Sequence, residues 1–304
     1  MNESTILFPN LNLILTNVGK SISIGGFEIA YYGMVIALGM ALGIMLILHI
    51  ARKSGQNEDT YVDLTLITIV FAIIGARIYY VVFSWQDYKD DWLQIFNIRG
   101  GGLAIYGGVI AGLVTILVFA KVKKMNVYLL LDTVCPGLAV GQILGRWGNF
   151  FNREAFGDYS NGLLAMDLPR DAVRQGEITG QMLEHLKVID GMEFIQVHPT
   201  FLYESLWNLM LLIGLLYLWK HRKYHGQIVF TYLAGYGLGR IWIESLRTDQ
   251  LLLPVIQIPV SQVVAGIMIL VSVILMIKKS RGQGESAEDK ANPQRKRKDK
   301  DKDT

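Results

Sequence analysis

Cysteine is almost missing: Cys135 is the one thiol in 304 residues. An internal disulfide and a cysteine-built metal centre are therefore excluded. Charge is also scarce, at 18%, where soluble domains carry about a quarter. The opening MNESTILFPN has no basic stretch ahead of its apolar residues, so a cleaved secretory signal is not expected. No internal repeat is evident, which removes one mark of a transporter. No aromatic-laced basic face occurs either, so nucleic acid is not an expected partner.

What is present is apolar: 52% of the residues are hydrophobic. They gather in runs near 29–49, 61–83, 103–120, 127–146, 200–219, 227–246 and 257–277. Each run approaches the ~20 residues that an α-helix needs to cross a ~30 Å hydrocarbon core. Basic residues cluster at Arg52–Lys53, Lys121–Lys124, Lys220–Lys223 and Lys278–Arg281. With seven crossings all four clusters fall on one side, which the positive-inside rule makes cytoplasmic. The expected fold is thus an all-α integral membrane protein of seven transmembrane helices. Its N-terminus lies outside and its C-terminus in the cytoplasm. Residues 1–279 form the membrane domain, 147–199 an inserted extracytoplasmic cap, and 280–304 a disordered charged tail.

Glycines at 100–102, 107, 108 and 112, and at 137, 141 and 145, suit close helix packing. Pro136 is expected to kink the fourth span. Cys135 beside it reads as a small core residue.

The polar residues inside the spans need another explanation, because an ionisable group in a long apolar run is costly. The stretch Gly141–Gly157, GQILGRWGNFFNREAFG, ends a span with Arg146, Asn149, Asn152, Arg153 and Glu154. The sixth span ends GYGLGRIWIESLRTDQ, with Tyr236, Arg240, Glu244 and Arg247 on one helical stripe. In the seven-span orientation Tyr32, Arg77, Tyr106, Arg146, Glu204, Arg240 and Glu244 all fall in outer halves. Snorkelling is an alternative reading of Arg77, and an interfacial belt is one of Tyr32. Two arginines from different spans suit bidentate capture of a lipid phosphate. His198 and Glu204 make a weak metal signal, since no third ligand is near.

GRWGNFFNREAFG resembles the signature of the prolipoprotein diacylglyceryl transferase family, through Gly145, Arg146, Gly148, Asn149, Phe150, Asn152, Glu154 and Gly157. Tyr32–Gly33, GAR at 75–77, GGLAIYGG, HPTFLYE and GLGRIWIESLR extend the likeness over the membrane region. The resemblance implies transfer of a diacylglyceryl group from phosphatidylglycerol to the lipobox cysteine of a prolipoprotein signal peptide. It implies a bacterial cell membrane enzyme without metal or cofactor, its site on the extracytoplasmic side. Arg240 is then expected to hold the departing phosphate and Glu244 to orient Arg240. Asn149 and Glu154 shape the site. Lipid contacts are expected from Arg146, Tyr32, Arg77, Gly157, His198, Tyr203, Glu204 and Arg247. Tyr106 stands where many members have histidine; with an ordinary pKa near 10, it suits a lipid hydrogen bond better than thiol deprotonation. The competing classes are a lipid or anion transporter, which predicts polar residues through to the inner face, and a structural membrane protein.

Overall fold

The computed structural model describes residues 2–98 and 101–291, with side chains to residue 281. The rest of the charged C-terminal segment lies outside the described residues. Eight α-helices are present among them: α1 (Tyr31–Lys53), α2 (Glu58–Phe83), α3 (Ile105–Val122), α4 (Val127–Asn152), the short α5 (Gly180–Glu184), α6 (Thr200–His221), α7 (Gln227–Glu244) and α8 (Val260–Ala291). Six of them, all but α5 and α7, are long and apolar enough to cross a membrane. The chain is mostly helical and reads as a multi-pass membrane protein. Helix α7 is 18 residues long, but Gln227, Arg240 and Glu244 dilute its apolar run.

The expectation of an all-α chain is corrected. The strands are β1 (Ile6–Phe8), β2 (Leu13–Leu15), β3 (Ser21–Ile24), β4 (Phe27–Ala30), β5 (Met166–Pro169), β6 (Lys187–Ile189) and β7 (Met192–Val197). Five form one antiparallel sheet in the order β2-β1-β5-β7-β6, and β3 pairs with β4 as a separate hairpin. Leu7 aligns with Asp167, so the N-terminal residues join a sheet otherwise built from the 147–199 segment. The sheet's apolar face is filled by Ile6, Phe8, Met166, Leu168, Ile195 and Val197, packed against Phe150, Phe156 and Phe201.

The chain divides into two compact units, residues 1–40 with 138–304, and residues 41–137. In the second unit, Asn57 caps α2 by accepting from the Asp59 amide at 2.9 Å, which satisfies one orphan donor of the first turn. Helices α2 and α3 meet where side chains are smallest. A Cβ at Gly75 would lie 2.3 Å from the Ala111 Cβ, and one at Gly107 2.4 Å from the Gly75 carbonyl oxygen. Glycine is required there for two backbones to touch. Gly43 and Gly137 make a similar contact, with a Cβ at either 2.6 Å from the other's carbonyl oxygen. Cys135 is buried, as a core residue should be. Helix α4 runs unbroken through Pro136.

In the first unit α6, α7 and α8 pack side by side. A Cβ at Gly239 would collide with the Trp207 ring at 2.4 Å, and one at Gly237 would reach the Ala265 carbonyl oxygen at 2.9 Å. The Trp207 indole N–H donates to the Gly235 carbonyl at 2.9 Å. These contacts fix the rotation of α7 and thus the direction in which its charged stripe faces. The glycine seam of α4 is only partly a packing seam. A side chain at Gly141 or Gly145 would meet nothing within 4 Å, although Gly141 is approached by α1, where a Cβ on Gly39 would lie 3.4 Å from its Cα.

Candidate functional site

Where α4 ends, the backbone makes a Schellman turn. The Glu154 amide donates to the Asn149 carbonyl at 3.1 Å, and the Arg153 amide to that of Phe150 at 3.2 Å. Arg153 takes the left-handed conformation that closes this motif, at φ 55°, a place usually held by glycine. Its guanidinium compensates by donating to the carbonyls of Val18 and Phe151 (3.3 Å for the latter). Ala155 is also left-handed, at φ 58°, a strained choice for alanine. Its carbonyl accepts the Thr200 hydroxyl at the start of α6. This double reversal folds Glu154 back over the end of its own helix. There its Oε1 accepts from Asn149 Nδ2 at 3.0 Å and Asn152 Nδ2 at 3.3 Å.

Arg146 stands one turn before Phe150 on α4. Its Nη2 lies 2.6 Å from Glu204 Oε1 on α6, and its Nη1 is 3.4 Å from Asn149 Oδ1. From α7, Arg240 Nη1 donates to Glu204 Oε2 at 3.0 Å. Glu204, almost fully buried, thus uses one oxygen for each arginine. Arg240 Nη2 pairs with Glu244, whose carboxylate also faces Arg247 Nη1 at 3.8 Å. Arg247 closes bidentately on Asp249 at 2.9 and 2.7 Å. Three cations alternate with three carboxylates, so the buried charges compensate one another, as buried charges must. Tyr236, one turn before Arg240, lies beside Arg146, Arg240 and Glu204. The Tyr32 ring lies on Gly148, where a Cβ would approach to 2.5 Å, and it feels the charges of Glu154 and Arg146.

A second tier of charge belongs to the connection between β5 and β6. Arg174 reaches Glu154 at 3.6 Å and Glu177 at 3.3 Å. Burial, together with the nearby charge of Asp249, raises the Glu177 carboxyl above its ordinary range despite Arg174. Burial acts the same way on Asp249, but the bond and charge of Arg247 outweigh it and hold that carboxyl low. Burial lowers the His198 imidazole.

The expected residues separate into groups. Arg146, Asn149, Glu154, Glu204, Arg240, Glu244 and Arg247 form one connected polar network, with Tyr32 at its side. His198 and Tyr203 pair with each other, Nδ1 to hydroxyl, at 3.2 Å. Gly157 is otherwise engaged: its amide donates to the His198 carbonyl at 3.0 Å, and a Cβ there would lie 2.8 Å from both the Leu246 carbonyl oxygen and the His198 Cβ. It is a backbone junction with no space for a side chain. In the second unit, Arg77 departs most from expectation. It is buried, and its Nε and both terminal nitrogens donate to the carbonyls of Gln94, Ile95, Asn97, Gly101 and Gly102 at 2.5–3.1 Å. All five N–H donors of a guanidinium are thereby engaged by main-chain carbonyls. Tyr106 opens α3 in that unit and is 38% exposed.

Sequence reasoning did not single out Arg174, Glu177 or Asp249. Asp249 carried a signal, two residues beyond Arg247; the other two lie in a polar segment where charge is unremarkable. Among the described residues no group of three His, Cys, Asp or Glu is placed to hold a metal ion.

The sequence that builds this network is similar to known proteins over most of its length. The family model for prolipoprotein diacylglyceryl transferase matches residues 20–278. A phosphatidylglycerol–prolipoprotein diacylglyceryl transferase of Bacillus mycoides (strain KBAB4) is 38% identical over 275 residues, covering 87% of this chain and 93% of the relative. Relatives of that name from Bacillus cereus (strain G9842) and Bacillus anthracis are each 39% identical, with the same coverage. With the match running from the β3–β4 hairpin to α8 and taking in every member of the network, this chain belongs to the prolipoprotein diacylglyceryl transferase family.

Proposed function

We propose that the protein transfers the sn-1,2-diacylglyceryl group of phosphatidylglycerol to the lipobox cysteine of prolipoproteins, the first step of lipoprotein maturation. The observation that carries this reading is the meeting of Arg146 and Arg240, from α4 and α7, on the shared carboxylate of Glu204. The six charges balance, so what the network offers a phosphodiester is donors rather than net charge. An arginine has five N–H donors, and Arg240 gives two to carboxylates. Glu204 and Glu244 hold both forks before substrate arrives, so little reorganisation is left for the reaction.

The cysteine sulfur attacks the glyceryl carbon that bears the phosphate. A carbon–sulfur bond forms as the carbon–oxygen bond breaks, and that electron pair leaves with sn-glycerol 1-phosphate. Negative charge grows on the departing phosphate oxygen, where Arg240 and Arg146 stabilise it. The thiol proton passes to solvent or to the departing phosphate. Guanidinium N–H donors near the sulfur favour the thiolate, whose ordinary pKa is ~8.5. No metal or nucleotide enters.

The reading places the protein in the bacterial cell membrane with seven crossings, α7 included, and the sheet outside as a cap over the network. It is supported by the basic residues that close α1, α3 and α6. Purified protein, labelled phosphatidylglycerol and a lipobox peptide test it: a thioether product should form only when the peptide has its cysteine. Labelled lipid crossing a vesicle without covalent product would instead favour transport.

A further inference from the structure

One helical turn along from Arg146 and Glu204, on the same two helices, stand Gln142 and Asn208. Arg146 meets Glu204 at 2.6 Å, and the Ser205 hydroxyl donates to the Ile143 carbonyl at 3.1 Å, so α4 and α6 run antiparallel in this register. Moving four residues back on α4 and four forward on α6 goes the same way along both, by about 6 Å. Gln142 and Asn208 therefore share one tier, away from the helix ends that carry the arginines.

That tier is unusual. Asn208 is 0% exposed, and neither its amide oxygen nor its nitrogen has a hydrogen-bond partner. Gln142 Oε1 is likewise buried and unpaired. Buried polar groups are nearly always paired, so two such amides at neighbouring positions point to a polar group that joins them. The adjoining stripe of α4 is Gly141 and Gly145, the two positions where an added Cβ meets nothing within 4 Å. Space and unpaired amides therefore occur together. The neighbouring turns, LAVGQILG on α4 and SLWNLMLL on α6, hold no ionisable residue. The group to be received is thus polar and uncharged, unlike the phosphate one tier up.

We propose that Gln142 and Asn208 form a subsite for the ester-linked glycerol backbone of the lipid donor. In a diacyl lipid the ester carbonyls follow the phosphate on the way to the chains, in the order of the two tiers. An ester carbonyl accepts hydrogen bonds and does not donate. Asn208 Nδ2 has two N–H donors, neither of them bonded within the protein, and an ester carbonyl can accept from them. Both are positioning residues: they fix the depth of the glyceryl carbon below the arginines and do not touch the bonds that change. This inference rests on the transferase reading and adds a preference that the reaction itself does not require.

The test compares diester phosphatidylglycerol with its dialkyl-ether analogue of equal chain length, in detergent with the lipobox peptide. The ether lipid keeps the headgroup and loses only the carbonyls. The native protein should favour the diester in kcat/KM by about threefold to tenfold, the worth of one hydrogen bond. In Asn208→Leu the diester-to-ether ratio should fall towards one. Asn208→Gln, which keeps the donor, should restore part of it. No preference in the native protein, or an unchanged ratio in Asn208→Leu with both rates reduced, overturns the subsite and leaves helix packing as the role of the amides. The native ratio decides even if the variant fails to fold. Absence of thioether product from the diester itself would overturn the transferase reading, a distinct result.

Discussion

Arg240 touches two carboxylates on two helices, so its replacement tests geometry as well as charge. Lysine keeps the charge but cannot fork between Glu204 and Glu244. Arg240→Lys should lower kcat/KM by about 10²- to 10³-fold, the range for losing one preorganised donor, and Arg240→Ala or Arg146→Ala should abolish product. Tyr106→Phe should reduce the rate only severalfold. Initial rates with labelled lipid check all four; full activity of Arg240→Ala would remove the phosphate-clamp assignment. Glu177 makes a different prediction. Its folded carboxyl is raised by burial and by Asp249. It therefore favours folding below its unfolded pKa and opposes it as pH rises through the folded value. Glu177→Gln should raise Tm at about pH 7, and the gain should vanish on acidification below the carboxylate range. Arg174 is 73% exposed, so losing its pair with Glu177 offsets little. Thermal melts across pH decide the sign. At this scale the arginines were legible in the sequence because a charge inside an apolar run has few innocent explanations. Glu204 was legible as a charge, but its bridging role was not, since which helices adjoin is a tertiary fact.

Helices were easier to foresee than the elements between them. The apolar runs locate six long helices and α7 to within a few residues, save at the C-terminal ends of α4 and α8, because bilayer thickness sets the length of the apolar part. The strands were hidden: β1 and β2 are three residues each, and β1 aligns with a strand about 160 positions later. No local pattern announces such a pairing. The end of α4 was also misjudged, because the turn that closes it uses Arg153 where sequence rules look for glycine. The loop after α2 shows how an element can depend on one side chain. Arg77 holds five carbonyls of residues 94–102, and hydrogen bonds from a charged donor are worth about 1.5–3 kcal/mol each. Arg77→Leu should speed amide exchange at Gln94 and Asn97 by at least ~tenfold, a loosening of ~1.4 kcal/mol. It should alter lipid KM much less than Arg146→Ala does. A KM effect without faster exchange would return Arg77 to the lipid-binding set.

For the whole molecule, the open quantity is the number of crossings, and it turns on α7. Its 18 residues give about 27 Å at 1.5 Å per residue, nearly the ~30 Å of the hydrocarbon core. Its charged residues are not spread along it: Arg240 and Glu244 are confined to one end and paired within the protein, while Tyr232, Phe230 and Val229 are buried nearer the other. A helix lying on the surface would instead expose a polar face along its length. If α7 crosses, the segment between α7 and α8 lies on the same side as the sheet, and the basic residues after α3, after α6 and at the end of α8 share the opposite side. If it does not, that segment lies with the basic residues instead, and the end of α8 emerges on the sheet side. Val255, 91% exposed, distinguishes the two. In intact cells Val255→Cys should react with a membrane-impermeant maleimide, as should Glu184→Cys at the end of α5, while Lys123→Cys should react only after the membrane is opened. Buried Cys135 should contribute no background. Labelling of Val255→Cys that tracks Lys123→Cys would reduce the count to six and put the charged end of α7 on the cytoplasmic side. The network could not then face lipid and prolipoprotein from outside, so this measurement bears on the site as directly as on the fold.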